Sequence, residues 1–314
     1  MLSRVAETIY WIGRYLERAE NTARLINVNT NLILDLPKGI ALGWEPLIRI
    51  LGCNSAYAEK HDEVTERRVV NFLISDESHS GSILSTIGFA RENARTIRDI
   101  LPREAWEELN AFHQHVVETK QTSYARQGRH EYLSLVIRGL QQLTGLLAGT
   151  MNHNTAYYFL DMGRKLERAD MTTRIINVKS ENPIPKDAPE LEPYQDTLLM
   201  SMLESLGGYQ MYRQSMQVRI TPIDVMTFLF RKTEFPRSFT YCTHNLAYNL
   251  ARLPNHAEPL AVLEHIERMV KEASMEEMDN GVLHEFIDQL QICLGYLHNS
   301  IAEAYFPSLE EEAA

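Results

Sequence analysis

Apolar residues recur along most of the chain with the 3.6-residue period of an amphipathic α-helix. The clearest run extends from Val5 to Ile26, where the apolar side chains fall on one side of a helical wheel. Further helical patterns cover Ser82 to Ile100, Glu104 to about Lys120, Glu131 to Thr150, Glu192 to Gln217, Arg237 to Leu253, Pro259 to Glu272 and Gly281 to Phe306. Runs with the alternating period of a β-strand are scarce. The pattern therefore predicts an all-α fold.

Proline and glycine mark the breaks between these helices. Pro102 and Pro254 each follow a helical pattern, at a position where the proline ring would end a helix. The longest irregular stretch, Glu181 to Pro193, contains four prolines, and the shorter stretch Asp35 to Gly43 combines proline with glycine. We expect loops in both stretches.

One helical segment occurs twice. Residues 13–28 return as residues 163–178 at a constant offset of 150, and eleven of the sixteen positions are identical. Weaker similarity follows at offsets near 156, where residues 70–74 resemble residues 226–230. We therefore predict a tandem duplication of a multi-helix unit, with a first repeat over residues 1–150 and a second over residues 151–314. No flexible linker separates the two repeats, which favours one fused helical body, an integrated domain.

Composition narrows the class of protein. The net charge of −11 disfavours a general nucleic-acid or anionic-membrane surface, because such surfaces need clustered Lys and Arg. The three cysteines are isolated, so they form neither a disulfide framework nor a CxxC pair. No apolar run has the length of a membrane span, and charges at Arg4 and Glu7 interrupt any signal-peptide core. These features predict a cytoplasmic protein with no nucleic-acid or membrane partner.

The repeated segment keeps charged residues as well as core residues. In the first copy the charges lie mostly along one flank of the apolar stripe, whereas Arg18 lies nearer the opposite flank. We take as candidate binding residues Arg14, Glu17, Glu20, Arg24, Arg164, Glu167, Asp170 and Arg174. Glu20 with Arg24, and Asp170 with Arg174, have the i,i+4 spacing of a helical ion pair. An exposed pair contributes only about 0.3–0.5 kcal/mol, so surface stability alone gives a weak reason to keep the whole set twice.

Three hypotheses account for the repeated charges. The first is a structural ion-pair network that locks the two motif helices to each other or to neighbours. The second is a binding site in which Arg14, Arg24, Arg164 and Arg174 hold carboxylate or phosphate groups. The third is catalysis, with Glu17 or Glu167 as general base or metal ligand. A shared active site would require both glutamates to face one pocket.

Supporting motifs for independent catalysis are absent from the sequence. There is no Walker loop, no dinucleotide-binding glycine motif and no GxSxG elbow. No Glu-x-x-His or HExxH spacing occurs, so we predict no metal site. The sequence leaves open whether the chain is an enzyme and predicts no cofactor of its own. Gly13 and Gly163 lie inside helices, where glycine costs about 1 kcal/mol against alanine, and this predicts close approach of another helix or of a ligand, with helix packing favoured.

The repeated Gly-Arg-x-Leu-Glu-Arg-Ala at residues 13–19 and 163–169, together with the opening residues 1–21 and residues 90–95, resembles the bacterial alpha-E domain family. The resemblance covers essentially the whole chain. It implies an all-helical fold, and the glutamates for which the family is named map onto Glu17 and Glu167. The second copy departs from the first in carrying Met171 in place of Asn21, so the two copies need not be equivalent.

The resemblance also implies a functional setting. Members of that family are typically encoded beside, or fused to, circularly permuted ATP-grasp ligases, often with a transglutaminase-like peptidase. It implies that this chain is an accessory or substrate-binding component of a peptide or amide-bond synthesis or modification system. Such a ligase and peptidase would be its partners, an anionic peptide-like molecule its ligand, and ATP would act only through the ligase. The alternatives are an enzyme with an Arg/Glu active site between the two motif helices, or a purely structural interaction protein.

Overall fold

The computed structural model describes residues 1–36, 43–180, 194–216, 219–276, 278 and 280–306. All regular elements in these ranges are helical, which confirms the predicted all-α class. The α-helices are α1 (Ser3–Asp35), α2 (Glu45–Ile50), α3 (Asn54–Ala58), α4 (Glu66–Ser75), α5 (Ile83–Thr96), α6 (Arg103–Thr119), α7 (Arg126–Thr150), α8 (Thr155–Ser180), α9 (Tyr194–Ser205), α10 (Tyr209–Ser215), α11 (Pro222–Arg231), α12 (Phe239–Leu250), α13 (Ala257–Glu272) and α14 (Asn280–Tyr305). A short 3₁₀ helix, Lys120–Tyr124, joins α6 to α7.

One predicted helix is divided in the structure. The pattern from Glu192 to Gln217 corresponds to α9 and α10, which are separated at Gly207 and Gly208. Gly207 has a φ of 62°, the left-handed conformation that glycine adopts without steric cost, and the Gly208 N–H donates to the Leu203 carbonyl. The predicted loop 181–193 lies outside the described residues, as do residues 37–42 of the other predicted loop.

Matching hydroxyl caps begin two pairs of helices. The Thr65 side chain caps α4 and the Thr221 side chain caps α11, each accepting from the N–H three residues later. Ser82 and Ser238 cap α5 and α12 in the same way. Both pairs are separated by the offset of 156 residues. The helices α4 and α5 therefore match α11 and α12 in capping and in spacing along the chain.

The two long motif helices, α1 and α8, form the most extensive helix pair in the described structure. α1 also packs on α5 and α7, and α8 packs on α12 and α14. Buried apolar side chains from both halves of the chain belong to one continuous core. The motif helices therefore lie at the centre of the molecule. No described helix is both long enough and apolar enough to cross a membrane.

Candidate functional site

The site is built where α1 crosses α8. A Cβ added to Gly13 would lie 2.1 Å from the carbonyl oxygen of Leu160, and one added to Gly163 would lie 2.0 Å from that of Tyr10. Glycine is needed at both positions because the backbones touch there, which confirms the predicted close approach. Contacts one turn further along, between residues 17–18 and 167–168, show that the two helices run in the same direction.

Beyond the glycines, the two motif copies exchange ion pairs. Glu17 accepts from Arg168 at both carboxylate oxygens, from Nε at 3.0 Å and Nη2 at 2.6 Å. Glu167 accepts from Arg18 in the same two-pronged way, from Nε at 2.6 Å and Nη2 at 3.0 Å. Each glutamate therefore pairs with the arginine that follows the other glutamate in sequence. Planar two-pronged pairs of this kind fix orientation as well as distance.

A second arginine completes each pair, but it comes from a different place in the two halves. Glu17 also accepts from Arg237, the residue before the α12 cap, with Nη1 2.6 Å from Oε1. Glu167 instead accepts from Arg14, with Nε 2.8 Å from Oε2. Arg164, the counterpart of Arg14, pairs with Asp161 on its own helix. Since Trp11 stands where the second copy has Asp161, Arg14 is left to reach Glu167.

The outer charges of the motif form pairs within each helix. Arg24 pairs with Glu20 and Arg174 pairs with Asp170, both at 2.8 Å. These pairs confirm the predicted i,i+4 contacts. The eight candidate residues lie along α1 and α8, and each of the four candidate arginines contacts an acidic side chain of the chain itself. Carboxylate or phosphate binding by these arginines stays a prediction.

Burial and charge hold the two central glutamates ionised. Each is only 2% exposed. Burial by itself would raise the pKa of Glu17, but Arg168 and Arg237 hold that pKa well below its usual range. Arg14 and Arg18 likewise outweigh burial and lower the pKa of Glu167 to about 2. A general base works best with a pKa near the operating pH, so this geometry favours the structural role of both glutamates.

Several residues of the site escaped the sequence analysis. The sequence does not identify Arg18 and Arg168 as site residues, because the helical wheel places Arg18 away from the other charges, although both recur at the offset of 150. Their recurrence was the signal that could have identified them. Arg237 has Gly81 at the matching position, so the repeat carried no signal for it.

A polar cavity of about 390 Å³ lies on the second-copy side of the network. It is lined by Glu167, Asp170, Met171, Arg18, Arg174 and His79, with residues 51–53, 56, 80 and 81 completing its wall. Glu17 does not line this cavity, so the two glutamates do not share it. Among the described residues, no group of three or more His, Cys, Asp or Glu side chains is placed to hold a metal ion.

Adjacent glutamate and arginine residues thus define the centre of the molecule. A family model named Alpha-E, described as "a predicted alpha-helical domain with a conserved ER motif", matches residues 1–306. This chain belongs to the Alpha-E family. In it, the Glu-Arg pairs at 17–18 and 167–168 are the residues that bind the two motif helices to each other.

Longer proteins are similar to this Alpha-E chain. Uncharacterized proteins of Mycobacterium bovis and of two strains of Mycobacterium tuberculosis are 20% identical to it over 324 aligned residues. The alignments cover 96% of this chain but 36% of each relative. The Alpha-E chain therefore spans little more than a third of the length of these relatives. No solved structure gives a significant match.

Proposed function

We propose that this Alpha-E chain is an accessory, substrate-binding component of a peptide or amide-bond synthesis or modification system, in which an ATP-grasp ligase carries out the ATP-dependent step. The observation that carries the proposal is the contrast between the two paired glutamates and the cavity that lies beside one of them. The glutamates are locked in internal ion pairs, whereas an open polar cavity lies beside Glu167 and Asp170. This arrangement suits binding better than independent catalysis.

The choice of partner rests on the family resemblance. A circularly permuted ATP-grasp ligase is the first expected partner and a transglutaminase-like peptidase the second. The mycobacterial relatives continue well beyond the matched region, which supports a role beside further protein segments. The proposal assumes a cytoplasmic location, where ATP is supplied. An anionic, peptide-like ligand is part of the proposal.

We also propose that the two halves arose by tandem duplication. The support is the match of α4 and α5 with α11 and α12 in capping and spacing, and the exchange of Glu-Arg pairs between the copies. A second candidate function, a purely structural interaction protein, is favoured by the same exchanged pairs. The remaining alternative is an enzyme that uses an Arg/Glu active site at the helix crossing.

The test uses the ATP-grasp ligase encoded nearest to this chain. We expect the purified ligase to co-elute with the chain in size-exclusion chromatography and to change its substrate profile when the chain is added. An Asp170→Asn variant should keep the complex and lose the change in profile, because Asp170 lines the cavity. An Arg103→Ala variant, which alters an exposed helical pair, is the matched control and should behave like the parent. No co-elution and no change in profile would refute the proposal.

A further inference from the structure

The two loops that precede α5 and α12 have the same framework. Ser82 caps α5 and Ser238 caps α12 at the offset of 156 residues. Three residues before each cap, an aromatic ring stacks on a phenylalanine, His79 on Phe72 at 4.1 Å between ring centres and Phe235 on Phe228 at 4.8 Å. In this register Gly81 occupies the position of Arg237.

Arg237 fills a polar site on the first-copy side. Its side chain is buried, with Nη1 2.6 Å from Glu17 Oε1 and 2.7 Å from Asn21 Oδ1. Nη2 lies 2.8 Å from Glu20 Oε1. One guanidinium group therefore bridges three side-chain acceptors of α1. Two carboxylates and an amide oxygen arranged in this way match the planar donors of arginine.

Among the described residues, no single arginine bridges the matching acceptors on α8, although Arg14 donates to Glu167 and Arg174 pairs with Asp170. Glu167 and Asp170 correspond to Glu17 and Glu20, and the 390 Å³ cavity lies beside them with Gly81 in its wall. Within the described residues, Glu167 Oε1 accepts only from Arg18 Nε, since Arg14 donates to Oε2. Oε1 therefore keeps room for a second donor, at the atom corresponding to the one that Arg237 contacts on Glu17.

The loop contact next to the cavity also differs between the copies. The Thr172 hydroxyl donates to the Arg237 carbonyl at 3.0 Å. The corresponding hydroxyl, on Thr22, is buried and has no hydrogen-bond partner among the described residues. Among the described residues, the loop at Gly81 therefore lacks the hydrogen bond to a motif helix that the loop at Arg237 makes.

We propose that this cavity binds the guanidinium group of an arginine side chain in a peptide ligand, in the way that Arg237 fills the matching site. The guanidinium donates to Glu167 Oε1 and to the Asp170 carboxylate, and the aliphatic part of the side chain lies against Met171. This deepens the substrate-binding role proposed for the chain by naming a group that the ligand carries. Arginine is favoured over lysine because two carboxylates flank the space.

The test is calorimetric titration of the purified full chain with a short capped peptide that contains one arginine. Otherwise identical peptides with citrulline, lysine or glutamate are titrated in parallel. Citrulline has the shape of arginine without its charge, so we expect it to bind at least about tenfold more weakly. No binding of the arginine peptide at millimolar concentration, or equal binding of the citrulline peptide, would overturn the proposal. Stronger binding of the glutamate peptide would overturn it as well and assign an anionic group to the cavity.

Three variants test the site in the same experiment. Asp170→Asn should weaken arginine-peptide binding about tenfold, whereas Glu107→Gln, at the exposed pair with Arg103, should leave it unchanged. Met171→Asn introduces the amide that Asn21 supplies on the other side and should tighten binding about threefold or more. Unchanged affinity in both Asp170→Asn and Met171→Asn would contradict the assignment. No ligase takes part in this titration, so its result does not depend on whether the ligase complex forms. A failure of the ligase complex can therefore be distinguished from a failure of this binding site.

Discussion

Gly13 and Gly163 lie on opposite sides of one helix crossing, each against the backbone of the other's helix. The carbonyl oxygens that their added Cβ atoms would meet, on Leu160 and Tyr10, are 2.1 and 2.0 Å away. A backbone atom cannot move aside without moving its helix, so neither position has room for a side chain. This contact brings α1 and α8 close enough for the Glu-Arg pairs to form.

Replacement of either crossing glycine by alanine is therefore expected to destabilise the fold. Gly13→Ala or Gly163→Ala should lower the free energy of unfolding by at least about 2 kcal/mol, because overpacking outweighs the helical preference of alanine. Denaturant titration measures the change. Gly145→Ala is the control, since Gly145 is exposed within α7 and has open space at its Cβ position; it should stabilise by about 0.5–1 kcal/mol. Stabilisation by Gly13→Ala would contradict the crossing geometry.

Neutralising one central glutamate tests whether the network is structural or catalytic. Glu17→Gln leaves Arg168 and Arg237 without their carboxylate and should lower the free energy of unfolding by about 3–5 kcal/mol. Glu167→Gln should behave similarly through Arg14 and Arg18. The exposed pair of Arg103 and Glu107 supplies the control, because Glu107→Gln should cost less than about 1 kcal/mol. Unchanged melting with loss of a turnover would instead support a catalytic glutamate.

Removal of Arg237 tests how strongly its contacts with α1 stabilise the fold. Arg237→Met leaves Glu17 with Arg168 alone and takes a donor from Glu20 and Asn21, so we expect a loss of about 3 kcal/mol or more in unfolding free energy. Arg252→Met, at an exposed arginine of the same half, should change it by less than about 0.5 kcal/mol. Equal effects of the two changes on the free energy of unfolding, measured by denaturant titration, would show that Arg237 stabilises the fold no more than an exposed arginine does.

Acid should destabilise the protein in two steps. Burial and the nearby Arg14 lower the pKa of His298 to about 4. As pH falls from about 6.5 towards 4, His298 binds a proton in the unfolded chain but stays neutral in the folded protein, so the free energy of unfolding falls. Below about 4.5 the unfolded glutamates protonate while Glu167, with a pKa of about 2, and Glu17, lower still, remain ionised, so stability falls again.

The melting temperature as a function of pH measures both steps. His298→Gln should reduce the upper step, because glutamine does not titrate, and leave the lower one in place; burial also lowers the pKa of His79 and of His113, and these two histidines account for the remainder of the upper step. Glu167→Gln should reduce the lower step and leave the upper one. A melting temperature that stays level between pH 6.5 and 4 in the parent protein would contradict the assignment of His298 as a buried neutral group.

Sequence patterns predicted the elements better than the contacts between them. The helical period identified most of the long helices, and the pairs of Glu20 with Arg24 and Asp170 with Arg174 followed from spacing within one helix. The same wheel did not identify Arg18 as a site residue, because a wheel shows the direction of a side chain from its own helix axis and nothing about a neighbouring helix. Spacing within one helix could not identify Arg237 either, because its partners are more than 200 residues away in sequence.

By itself, the sequence determined the helical class, the recurrence of the motif and the two helical glycines that indicated a close approach. These depend on local periodicity and on the backbone properties of glycine, which residue order encodes directly. Only the tertiary structure decided which arginine meets which glutamate, and that one side of the network is filled by Arg237 while the other opens beside Gly81. Those facts depend on the crossing of two helices 150 residues apart and on the loops packed against them, and spacing along a single chain carries no information about either.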